Sequence, residues 1–179
     1  MAKKTTPNVG ITNYCGELDL SDFDIALPEQ SPLPTLIKDL PIYVTDESKK
    51  LMVAAKDLKG RLEELSKALA TEYDVEHPMR YTFKVKNSKG LPKITWYRLI
   101  LYRYPKKELE EKEVSDAVLR RFSNAMDWEI PLYLHLLDQI NQLEQRVKPI
   151  RELSSQVRKT MRAIKNCTFS AIQSGSFMP

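Results

Sequence analysis

The chain has 179 residues, 28 of them Lys or Arg and 24 Asp or Glu, with only two His and two Cys. That length can bury one core of ordinary size, and 42% hydrophobic with 29% charged residues excludes a wholly disordered chain. The longest nearly unbroken apolar run, Ile130 to Leu137, is too short to cross a bilayer. The amino terminus lacks the apolar core of a secretion signal, so a cytoplasmic protein is expected. Cys15 and Cys167 lie at opposite ends without metal-ligand spacing, against a disulfide framework or a zinc finger.

Charge is unevenly spread. Residues 1–47 hold eight acids and three lysines, a balance of −5, so residues 48–179 carry +9. Met79 to Lys107 contains nine bases and no acid, and Gln145 to Lys165 contains seven bases and one acid. Partners sense such local fields more than the total of +4.

In chain order, residues 1–47 read as an acidic, proline-bearing arm. Pro28, Pro32, Pro34 and Pro41 resist long helices there. Leu18, Leu20, Phe23, Ile25 and Leu27 interleave with Glu17, Asp19, Asp22 and Asp24. Such a segment cannot bury its apolar groups alone. It either wraps the protein's own surface or presents Leu18, Leu20, Phe23 and Ile25 to a protein partner, or serves as a lid over the basic body. Residues 48–170 read as a helical body. Its first helix runs from Ser48 to about Tyr73, where Leu51, Ala55, Leu58, Leu62, Leu65 and Leu69 step by four and three, with Thr45 or Asp46 as cap. Gly60 falls on its polar side.

At about residues 79–104 the period changes to two. Tyr81, Phe83 and Val85 alternate with polar residues, Asn87-Ser-Lys-Gly90 supplies a turn, and Ile94 to Tyr104 is β-branched and aromatic, which predicts a β-hairpin. Its second strand is apolar on both faces and needs cover. Lys107 to about Met126 is expected to be a helix, acidic first and basic last. Pro131 suits the first turn of a final helix whose Leu136, Ile140, Leu143, Val147, Ile150, Val157, Met161 and Ile164 keep the four-three rhythm. Pro149 should kink or split it, and residues 171–179 read as a flexible tail. The fold expected is mainly α: long antiparallel coiled-coil-like helices with an inserted β-hairpin and an extended N-terminal arm, and a homodimer is expected because the seams and the two-sided strand need cover.

No glycine-rich phosphate loop, metalloprotease helix motif or nucleophile elbow occurs. His77 and His135 stand far apart without a carboxylate–cysteine set, and His135 lies among leucines, as a core or interface imidazole would. Asp19, Asp22 and Asp24 lack the spacing of a Ca²⁺ loop. A protein without catalytic residues, metal or cofactor is expected. The strongest signal is cationic: Arg80, Lys84, Lys86, Lys89, Lys93, Arg98 and Arg103 interleave with rings on the hairpin, and Arg151, Arg158, Lys159 and Arg162 recur on the last helix. Phosphate backbones need several cations in one footprint, so these are the candidate nucleic-acid contacts. Phe83, Trp96 and Ile100 are expected to form the buried side of the sheet instead.

A hairpin strand reading Ile94-Thr-Trp-Tyr-Arg98, then Phe122-Ser-Asn-Ala-Met-Asp-Trp-Glu129, then a helix through Leu143-Glu144 to Ile150-Arg151, resembles the MobI-type mobilisation proteins of conjugative elements over residues 48–155. The resemblance implies a relaxosome accessory that binds DNA at a transfer origin, does not nick it, and meets a relaxase; it carries over no catalytic residue. Trp128 and Glu129 also suit an ordinary helix start, as staple and dipole partner. Two other readings stand beside DNA binding: a coiled-coil adaptor or scaffold for proteins, and RNA binding by the same surface.

Overall fold

A computed structural model describes residues 10–11, 14–102, 108–115, 119 and 122–173. Two long helices, α1 (Leu40–Glu72) and α2 (Glu129–Gln173), pack against a three-stranded sheet of β1 (Tyr81–Ser88), β2 (Leu91–Tyr102) and β3 (Glu108–Glu113). Two short 3₁₀ turns, Leu20–Phe23 and Ile37–Asp39, lie in the arm. The strands are antiparallel in the order β1-β2-β3, so the fold is α+β. This corrects the expected mainly helical fold with a hairpin insert.

The correction comes from Glu108–Glu113. Its Glu, Leu and Lys residues favour helix by propensity, and the sequence predicts one. The segment is instead a strand paired with β2 from Tyr97↔Glu113 to Tyr102↔Glu108. A central strand whose outer backbone groups would otherwise go unpaired captures the segment against its helical preference. Of the rest of the expected helix, residues 122–126 are turn and irregular backbone with positive φ at Phe122 (42°) and Asn124 (78°), so the helix does not extend there, and residues 107, 116–118 and 120–121 lie outside the described residues.

α1 and α2 run antiparallel. Early α1 (Tyr43, Val44, Leu51, Ala55) packs with Leu143, Val147 and Ile150, while later α1 (Leu58, Leu62) packs with Leu132, Leu136 and Ile140. The four-three seams thus meet within one chain. α1 begins at Leu40, eight residues before the predicted start, because Pro41 is accommodated in a first turn whose N–H groups need no partner. Thr45 and Ser48 therefore do not begin the helix; their hydroxyls donate back to the carbonyls of Pro41 and Val44. α2 runs unbroken through Pro149 to Gln173, so the predicted split does not occur.

The inner face of the sheet carries Tyr81, Phe83 and Trp96, which pack with Phe122 and Tyr133 edge-on or tilted at 5.1–6.1 Å. β1 and β2 are joined by Lys89 (φ 57°) and Gly90 (φ 90°), with Gly90 N donating to Asn87 Oδ1 at 2.8 Å. Both turn residues have the positive φ that a two-residue hairpin needs, and Lys is poorly suited to it. Lys89→Asn should raise stability by about 0.5 kcal/mol, read as a higher urea midpoint at unchanged slope.

The arm lies on the body. Phe23 is buried beside Leu58, Leu62, Leu136 and Ile140, with Leu18, Leu20 and Ile25 partly buried against the same cluster. Arg61 donates to the carbonyls of Asp22 and Asp24, and Ile25 N donates to Gln139 Oε1 at 2.9 Å. His135 Nε2 stands 2.9 Å from Asp24 Oδ1, out of line for a hydrogen bond but at ion-pair distance when protonated. Further up the arm, Gly10 and Ile11 donate to the carbonyls of His77 and Pro78.

Candidate nucleic-acid interface

β1 is an edge strand, and its two-residue period puts Thr82, Lys84 and Lys86 on the outer face of the sheet. Lys93 of β2 stands directly opposite Lys86. Lys84 and Lys86 lie over the Tyr97 ring, 5.0 and 5.8 Å from its centroid. Lys86 Nζ also donates to the Tyr97 hydroxyl at 3.2 Å. That hydrogen bond, then the charge of Tyr97 and of Glu113, holds the Lys86 ammonium above its ordinary pKa.

The sequence reading missed half of this site. α1 brings Lys56 and Lys59 to the open edge of β1, forming a cleft of about 470 Å³ lined by Lys56, Lys59, Gly60, Glu63, Lys84, Val85 and Lys86. Lys59 Nζ donates to Thr82 Oγ1 at 2.9 Å, lies 5.7 Å from the Phe83 centroid and pairs with Glu63 at 3.2 Å. A Cβ at Gly60 would meet no atom within 4 Å, so this glycine leaves the cleft open. The only signal in the sequence is that Lys56, Lys59, Gly60 and Glu63 share one helix face. Residues 17–23 of the arm lie on the other flank of α1, beside Arg61, Glu64, Leu65 and Ala68, and no described residue of the arm lines the lysine cleft.

The predicted cations do not form one surface. Arg98 stands opposite Tyr81 and Lys112, on the face away from Lys84 and Lys86. The Arg80 guanidinium donates to the Asn124 carbonyl and its backbone N–H to Glu129. Lys89 is at the hairpin tip, and Arg103 lies outside the described residues. The acid-free run is also compensated in space: Lys84 pairs with Glu111 of β3, a strand with four glutamates and one lysine. On α2, Arg151, Arg158 and Arg162 share one flank of the helix and Lys159 lies about a quarter turn from it.

The hairpin rings have other work. Tyr81, Phe83 and Trp96 are buried, and Tyr97 is 9% exposed beneath two lysines. Among the described hairpin side chains no ring offers a face for a base. What the cleft offers is a line of ammonium groups suited to phosphates.

The Ala125–Glu129 segment ties the arm, β1 and the start of α2 together. Trp128 Nε1 donates to the Ile11 carbonyl at 2.8 Å, and its ring lies 4.6 Å from that of Tyr14. Glu129 is fully buried and accepts from the backbone N–H groups of Arg80 and Met126 and from the Tyr133 hydroxyl, each at 2.7 Å. Among the described residues no group of three His, Cys, Asp or Glu stands ready for a metal, and no helix is long and apolar enough to cross a membrane. Comparison of the chain with protein-family models, curated proteins and solved structures finds no match.

Proposed function

We propose that this is a non-catalytic DNA-binding accessory protein that grips the phosphate backbone in the lysine cleft between α1 and β1. The observation that carries the reading is the convergence of Lys56, Lys59, Lys84 and Lys86 on one strand edge with Glu63 as the single acid in the lining. The covered rings favour backbone contact on duplex over base stacking on single strands. The setting, a transfer origin with a relaxase nearby, is supported by the resemblance of Ile94–Arg98 and Phe122–Glu129 to MobI-type proteins.

The test is fluorescence anisotropy with labelled duplex, single-stranded DNA and RNA across a salt series. Three or four phosphate contacts give a slope of about −3 in log K against log salt. Gly60→Glu should fill the cleft with a carboxylate and weaken duplex binding about tenfold or more, while leaving stability unchanged or slightly higher. Unaltered binding by G60E would remove the cleft from the mechanism. Preference for RNA would move the same surface to RNA, and no binding at low salt would leave the adaptor reading.

A further inference from the structure

The apolar seam of α2 outruns its partner. α1 starts at Leu40, and together with Ile37 and Pro41 its first turn reaches α2 only at Leu153 to Ile164, where the two walls bound a groove of about 480 Å³. Among the described residues nothing fills this groove: Ile37 is 73% exposed, Met161 48% and Ile164 54%. Leu153, Val157, Met161 and Ile164 are spaced four, four and three apart, so they form a single stripe continuous with the buried seam upstream. Arg151, Arg158, Arg162 and Lys165, spaced seven, four and three, form a parallel cationic ridge on one rim. Residues 151–166 hold five bases and one acid.

These features select among occupants. A second copy laid tail to tail would bring ten bases and two acids together, a like-charge contact. A bilayer surface is flat and would leave a groove with two apolar walls unfilled. An acidic amphipathic helix satisfies both stripes at once. We propose that the groove between the start of α1 and the distal half of α2 docks such a helix from a partner protein. Its apolar residues at i, i+3, i+4 and i+7 enter between Ile37 and Met161, and its carboxylates meet Arg158, Arg162 and Lys165. This site is separate from the lysine cleft, whose lining it does not share.

The probe is a fluorescein-labelled helical peptide with Leu at those four positions and Glu flanking them, titrated into the full-length protein. Its controls are a scramble of the same composition, a version with Lys for Glu, anionic phosphatidylserine vesicles, labelled duplex DNA, and sedimentation of the protein alone. Saturable binding of the acidic peptide over the scramble and the Lys version is expected. The binding should fall about tenfold or more in Met161→Ser/Ile164→Ser and in Arg158→Glu/Arg162→Glu/Lys165→Glu. All five positions are on the exposed face of α2, and circular dichroism checks that both variants fold. Equal binding of the scramble, or no binding, overturns the proposal. So does loss of vesicle or duplex binding in the charge-reversed protein without any peptide binding, or a dimer that M161S/I164S dissolves.

Discussion

Glu129→Ala is expected to lower stability by about 3–5 kcal/mol. The carboxylate is fully buried and is the common acceptor for Arg80 N–H, Met126 N–H and the Tyr133 hydroxyl. Alanine leaves all three donors without that partner. Tyr133 in turn accepts from Tyr81 N and Arg80 N, so the start of β1 and the start of α2 are held by one network. Urea unfolding followed by circular dichroism measures the loss, and a change under about 1 kcal/mol would show that the network is dispensable.

The same group gives a pH dependence. Burial raises the Glu129 carboxyl above its ordinary value, against the three hydrogen bonds and the Arg80 charge, which lower it. A pKa higher in the folded than in the unfolded state means the native state binds the proton more tightly. The resulting stabilisation is full below the unfolded value of 4.5 and is lost as pH rises through the folded one. Glu129→Gln cannot titrate. The stability of the native protein relative to E129Q should therefore be greater at about pH 4 than at about pH 7. A gap that widens with pH would reverse the assignment.

Phe23→Ala carries the second large effect, about 3 kcal/mol, at the lower end for a buried phenylalanine because an arm can relax around the gap. Phe23 is 5% exposed among Leu58, Leu62, Leu136 and Ile140. Its neighbours are fastened by Arg61 to the carbonyls of Asp22 and Asp24 and by Gln139 to Ile25 N, so losing the ring should loosen residues 18–25 together. Thermal melting and limited proteolysis measure it, with faster cleavage within the arm expected. A wild-type melt would instead mean that the arm is off the body in solution, which frees Leu18, Leu20 and Ile25 for a protein partner.

Periodicity made much of this protein legible. The seam of α1 from Leu51 to Leu69, the alternation of Tyr81, Phe83 and Val85, the Asn87–Gly90 turn and the seam of α2 from Leu136 to Ile150 are all buried or placed as their spacing predicts. These patterns are local: a face repeating at 3.6 or 2 residues has one way to be buried. Proline is the poorer marker of helix ends here, since Pro41 and Pro149 both lie inside helices.

Charge was the poorer guide. Nine bases without an acid are contiguous only along the chain, and β3 folds glutamates back beside them while strand alternation sends Arg98 to the opposite face from Lys84 and Lys86. Conversely, Lys56 and Lys59 stand more than twenty residues upstream of the lysines they join. The sequence by itself determined the amphipathic helices, the hairpin and the cationic character of the body, because each depends on neighbours within a few residues. Only the tertiary structure decided that Glu108–Glu113 is a strand, that Phe23 belongs to the core, and which lysines share a cleft. Those outcomes depend on backbone partners and burial supplied by distant segments, and no local preference encodes them.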